Sequence, residues 1–193
     1  LKAWNRRAAA YACQQINGYL QPNRATIINL LSIEEREGKS FLAKYFAQYW
    51  ESEGLHVRIV NHDIDFEKES KSYVQAQQLS DFWQLNDAEQ QPDIILVEYP
   101  ALCHYDVPEK VLAESDFNLL VANAARLWSE KDNARLRSVK DILKDKSLYL
   151  YLNNADRETV ESFTGELPPH NSVHSFFRRL AQLGLTSQKA AVK

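Results

Sequence analysis

The chain has 193 residues, 45% apolar and 25% charged, with a formal net charge of −3. That length and composition suit one globular domain spanning residues 1–193 with a real core. The charge gives no general argument for nucleic-acid or membrane-surface binding, and no apolar run approaches the ~20 residues of a membrane span.

Residues 1–20 read as a helix with Trp4, Ala8, Tyr11, Ala12 and Leu20 on its apolar side, broken by Pro22-Asn23. Ile27–Leu31 is a short apolar strand, followed by the loop Ser32–Gly38 and a helix with Leu42, Tyr45, Phe46 and Tyr49 on one stripe. Gly54 marks a turn before a second strand, Val57–Val60, which runs into Asn61-His62-Asp63-Ile64-Asp65. Residues 70–85 look helical, with Val74, Leu79, Phe82 and Trp83 apolar. A third strand, Ile94–Val97, ends in Glu98-Tyr99-Pro100, and a short helix follows over Pro108–Ala113. Phe117–Val121 is a fourth strand. Ser129-Glu130-Lys131-Asp132 has the form of a capping box opening a helix to Leu143. Leu148–Leu152 is a fifth strand ending in Asn153-Asn154. Asp156 is placed as the cap of a short helix closed by Gly165, and a last helix is expected over Ser172–Leu183.

Strands alternating with helices give an α/β fold with a mostly parallel central sheet flanked by helices; taken with Gly38-Lys39-Ser40 after the first strand, it resembles the three-layer P-loop NTPase-like arrangement. Ligands bind such sheets at the carboxyl ends of the strands, where Gly38-Lys39-Ser40, Asn61/Asp63, Glu98 and Asn153/Asn154 all fall. Gly-Lys-Ser after a buried strand is the back half of a P-loop: backbone N–H groups and the helix N-terminus attract phosphate, Lys39 reaches the β- and γ-phosphates, and Ser40 ligates Mg²⁺. Ser40 also suits a plain N-cap. The front half departs from GxxxxGK[ST], with Ile33 at the first Gly position and Glu34, Glu35 and Glu37 crowding the loop. Asp63 and Glu98 are carboxylates that fit a metal shell or an ordinary strand end equally well. His62 and His104 are lone histidines without a second ligand at metal spacing. Cys13 and Cys103 form no CxxC, which points to a reducing compartment.

From Leu20 to Leu183 the sequence resembles the cytoplasmic P-loop domain of bacterial tyrosine kinases, attached to the polysaccharide co-polymerases of capsule and exopolysaccharide export. Thr26–Ser40 is similar to the family's first strand and Walker A loop. VRIVNHDID at 57–65 is similar to its second Walker motif, and DIILVEYP at 93–100 to its Walker B strand. YLNN at 151–154 is similar to the strand end facing the adenine, and ESFTGELPP at 161–169 to a further family segment. The resemblance implies ATP and Mg²⁺ as cofactors. Lys39 and Asp63 are the implied catalytic residues, Gly38, Lys39, Ser40, Asn153 and Asn154 the implied nucleotide contacts, and Ser40, Asp63 and Glu98 the implied metal ligands. It also implies the polysaccharide export and polymerisation machinery as partner, self-association, and a place at the cytoplasmic face of the inner membrane. The chain begins at Leu1 and contains no Met, so it reads as a piece of a longer protein with membrane attachment outside it.

The departures fall on chemistry. Glu35-Arg36 stands where the family has Pro-Gly, and Asn61 where it has an Asp. Asp65 replaces its closing Arg and Glu98 its Walker B Asp, and the end, LTSQKAAVK, lacks the tyrosine-rich tail. Three readings follow: a degenerate domain regulating chain length and export with weak or no ATP turnover; an active ATP-dependent tyrosine kinase or ATPase; and a partitioning-type P-loop ATPase. The last is disfavoured because its signature lysine corresponds to Glu34.

Overall fold

A computed structural model describes residues 3–66, 68–82 and 91–156, with the side chains of residues 3–7 outside that description. By internal contacts the chain divides into Leu1–Ala155 and Asp156–Lys193. The helices expected beyond Asp156, the 161–169 segment and Trp83 lie outside the described residues.

Five strands, β1 (Thr26–Leu31), β2 (Val57–Asn61), β3 (Ile94–Glu98), β4 (Phe117–Asn123) and β5 (Leu148–Asn153), form one sheet in the order β2-β3-β1-β4-β5. Every neighbouring pair is parallel. Each contains the strand expected from the sequence, and the α/β architecture with a parallel sheet between helices is present. The near-continuous apolar runs have a physical cause: successive side chains point to opposite faces, and both faces are covered. Ile28, Leu30, Ile94, Leu96, Leu119 and Val121 pack with α1 (Ala3–Ile16) and α2 (Lys39–Ser52). Leu31, Ile95, Val97 and Leu120 face the opposite core, which holds Tyr73 of α3 (Lys71–Gln75), Val111 and Leu112 of α4 (Glu109–Ala113), and Val139 and Leu143 of α5 (Glu130–Leu143).

Two expectations need correction. The buried side of α1 is Ala9, Cys13 and Ile16, whereas Tyr11 is 63% exposed. These positions recur at i, i+4 and i+7, and the small side chains of Ala9 and Cys13 let α1 lie close on α2, where an aromatic ring would hold the helices apart. The helix expected over residues 70–85 is five residues long and is followed by a 3₁₀ turn at Leu79–Asp81. Asp81 Oδ2 accepts from the backbone N–H groups of Gln77 and Gln78, at 2.7 and 3.2 Å. This side-chain competition for backbone donors stops the helix. Tyr73, not Val74, is the buried anchor of α3.

The expected capping box at Ser129 is formed, with Ser129 Oγ accepting from Asp132 N–H at 3.3 Å and Asp132 Oδ2 accepting from Ser129 N–H at 2.6 Å. Among the described residues no helix is long and apolar enough to cross a membrane.

Candidate functional site: a cleft at the strand ends

The loop joining β1 to α2 rises from the centre of the sheet, and the ends of β2 and β3 stand beside it. Parallel pairing brings these ends together, so residues distant in sequence line one cleft of about 410 Å³. Gly38, Lys39, Ser40, Asp63 and Glu98 all line it, with Glu35, His62, Lys68 and Tyr105.

Gly38 caps α2 in the left-handed region, at φ 104°. A Cβ there would stand 2.0 Å from Asn153 Nδ2. Lys39 opens the helix and turns its ammonium back over the loop. It is only 6% exposed and donates to Ser32 Oγ at 2.5 Å. Burial lowers its pKa, against the pull of Glu98, Glu37, Glu35 and Asp63. Ser32 Oγ in turn donates to the Glu34 carbonyl at 2.6 Å, so one hydroxyl ties the lysine to the loop's first turn.

Ser40 Oγ donates to Glu98 Oε1, and Asn61 Nδ2 donates to Glu98 Oε2 at 2.8 Å. Glu98 is 1% exposed, and both its oxygens are satisfied within the protein. A second carboxylate at 61 would repel Glu98 unless a cation lay between them, whereas an amide donor bonds it directly. Asp65 also has a local role, its Oδ2 accepting from Asn61 N–H at 2.7 Å in the turn after β2.

Asp63 sits at the rim. Lys68 Nζ reaches its Oδ1 at 2.8 Å, and this bond draws the Asp63 carboxyl below its usual pKa. His62 stands between Asp63 and Glu98, with Nε2 at 3.2 Å from Asp63 Oδ1 and Nδ1 at 3.9 Å from Glu98 Oε1. Burial lowers its pKa, favouring the neutral ring. Asn153 and Asn154 are not among the residues lining the cleft. Asn153 instead braces the loop from behind, its Nδ2 donating to the Glu37 carbonyl at 2.9 Å. Asn154 is an exposed turn residue at φ 56°.

Gly38, the buried ammonium of Lys39 and the start of α2 fit the phosphates of a nucleotide. Ser40 and Glu98 could contribute a hydroxyl and a carboxylate to Mg²⁺, which commonly takes one or two carboxylates and completes its shell with water and phosphate. The ion, when bound, would neutralise phosphate charge; Ser40 and Glu98 would have to give up their mutual hydrogen bond to hold it.

Several contacts have no counterpart in the sequence reading. Arg126 Nε donates to Glu37 Oε1 at 2.7 Å, and its Nη1 donates to both Asp132 oxygens at 3.0 and 2.9 Å. Cys103 and His104, read as isolated, lie with Glu34 in one cluster. Burial pushes the Cys103 thiol up to about 11, so it is protonated and no nucleophile.

Arg36 occupies the left-handed region at φ 58°, which costs a non-glycine residue about 1–2 kcal/mol. Arg36→Gly relieves this strain but gives the unfolded chain about 0.5–1 kcal/mol of extra entropy. The expected outcome is a net stabilisation of about 0.5–1 kcal/mol, read as a rise in urea midpoint at unchanged slope. A fall in the midpoint would mean that the Arg36 side chain makes a compensating contact.

No protein-family model matches the sequence, and no curated protein matches it significantly. Among solved structures the chain is similar to one described as a possible uridine kinase from Bacillus stearothermophilus. The two share 13% identity, 75% of this chain and 98% of that chain are covered, and the TM-score is 0.46. The chain itself displays the parallel strand order β2-β3-β1-β4-β5 and a loop from the central strand to α2 that ends in Gly38-Lys39-Ser40.

Proposed function

We propose that this chain is a degenerate tyrosine-kinase-like P-loop domain that binds ATP weakly, turns it over little or not at all, and regulates polysaccharide chain length and export. The observation that supports the reading is the chain of hydrogen bonds from Ser40 through Glu98 to Asn61. In it Asn61 presents an amide donor to Glu98 where a carboxylate would add charge, so the cleft offers Mg²⁺ one fewer negative ligand. Phosphoryl transfer depends on positioning and charge neutralisation, and Glu34 and Glu35 in the loop oppose the approach of a polyphosphate, whereas Glu37 is paired with Arg126. The proposed partners, the polysaccharide export and polymerisation machinery and further copies of the domain, rest on the sequence resemblance alone. So does the proposed place at the cytoplasmic face of the inner membrane, through segments outside this chain.

An active ATP-dependent tyrosine kinase or ATPase is the second reading. It is favoured by the retained ammonium of Lys39 and by Tyr105, a candidate phosphate acceptor lining the same cleft. The two separate on titration calorimetry with ATP, with and without Mg²⁺, combined with phosphotyrosine and released-phosphate assays on wild type and Lys39→Ala. The degenerate reading expects weak binding that Mg²⁺ strengthens little, and no product above the Lys39→Ala background. Strong phosphotyrosine that vanishes in Lys39→Ala would establish the active kinase instead.

A further inference from the structure

We propose that Glu34, Cys103 and His104 form a binding site for a thiophilic divalent cation, zinc being the natural occupant. One ligand atom from each residue lies within 4.8 Å of the other two, and Cys103 Sγ is already 3.2 Å from Glu34 Oε2. Zinc bonds of about 2.0–2.3 Å to sulfur, nitrogen and oxygen place tetrahedral ligands roughly 3.3–3.8 Å apart. The cluster therefore closes with side-chain shifts of about 1 Å.

The backbone holds the ligands ready. Leu102 N–H donates to the Ser32 carbonyl at 3.0 Å and Cys103 N–H to the Ile33 carbonyl at 2.9 Å. These bonds fasten the segment after β3 alongside the first turn of the β1–α2 loop, one residue short of Glu34. His104 N–H donates to the Ala101 carbonyl at 3.1 Å, closing a turn that carries the imidazole round to the same side. Glu34 and Cys103 are half-buried and His104 is exposed, so a fourth position is left for water.

Thiolate, imidazole and carboxylate together select zinc over magnesium, which takes oxygen ligands. This site shares no residue with Ser40 and Glu98, where a hard cation would go. On binding, the Cys103 S–H bond breaks, an S–Zn bond forms and the proton passes to the buffer; no electron is transferred. Zinc here would pin the first turn of the loop to the segment carrying Tyr105 and neutralise Glu34, the residue before the cleft-lining Glu35.

The test is titration of the full chain with Co²⁺, following the thiolate-to-cobalt charge-transfer band, then displacement by Zn²⁺ and metal analysis after dialysis. The expected result is one metal per chain, the band absent in Cys103→Ser, and affinity at least 10-fold weaker in both His104→Ala and Glu34→Gln, with far-ultraviolet dichroism unchanged. Cys13 is fully buried in the α1–α2 core and should contribute nothing, so Cys13→Ser should retain the band. Absence of a stoichiometric metal, or binding that survives Cys103→Ser and His104→Ala, would overturn the proposal.

Discussion

Arg126→Ala is expected to destabilise the protein by about 3 kcal/mol, as truncating one partner of a buried charge cluster does. Arg126 bridges two carboxylates that are almost fully buried, with side-chain exposures of 2% for Glu37 and 3% for Asp132. Truncation strands both charges, and Glu37 Oε2 already lacks a hydrogen-bond partner among the described residues. The guanidinium fork matters as much as the charge. Arg126→Lys can satisfy one carboxylate but not both, so it should recover about half the loss. Acid unfolding gives an independent readout. Hydrogen bonds from Arg126 and Ser129 hold the Asp132 carboxyl at about 2. A depressed carboxylate contributes stability that is complete above its unfolded value and lost as pH falls through its folded one. Wild type should therefore lose stability from about pH 4 down to about pH 2, and this component should be smaller in Arg126→Ala, where only the Ser129 hydrogen bonds remain on Asp132. Urea midpoints at pH 7 and pH 3 decide the matter; a loss under ~1 kcal/mol at pH 7 would place the triad with ordinary surface ion pairs. Glu37 directly precedes Gly38, so the same substitution should loosen the loop and weaken any nucleotide binding.

How much of this was legible depends on sequence distance. The five strands were readable because each carries its own signal, a branched apolar run set by burial on both faces. Lys39 and Ser40 were readable from a local tripeptide after a strand, and Glu98 and Asn61 from their places at strand ends. The bonds that decide chemistry join separate elements. Glu37 and Arg126 are 89 residues apart, Cys103 and Glu34 are 69 apart, and Asn153 and Glu37 are 116 apart. No local pattern marks Arg126, and only tertiary packing shows that Glu37 is a buried ion-pair partner and not an exposed repulsive charge. Asn61 is the instructive case. As a sequence departure it reads as a weakened metal ligand, while in the fold it is a donor that satisfies a buried carboxylate. The α1 face was misread for a related reason: helical periodicity alone allowed the stripe through Ala8, Tyr11 and Ala12, but close helix contact selects Ala9 and Cys13.

Gly38→Ala should both destabilise the protein by about 2–4 kcal/mol and remove whatever nucleotide binding the loop supports. Two costs combine. At φ 104° a residue bearing a Cβ is held in a sparsely populated region, worth on the order of 1–3 kcal/mol. The Cβ would also stand 2.0 Å from Asn153 Nδ2, so the amide must swing away and abandon the Glu37 carbonyl, a hydrogen bond worth about 1 kcal/mol. The second cost depends on Asn153 and the first does not. Asn153→Ala alone should cost about 1 kcal/mol, and in the double variant Gly38→Ala/Asn153→Ala the clash is absent. The combined loss should then fall short of the sum of the singles by about 1 kcal/mol, well outside the ~0.3–0.5 kcal/mol scatter of independent sites. Nucleotide binding should not recover in the double variant, because the strained backbone at position 38 still misaligns the first amides of α2 that would face phosphate. Additive losses would show that Asn153 does not press on the loop, and undiminished ATP binding in Gly38→Ala would show that the nucleotide does not use this loop at all.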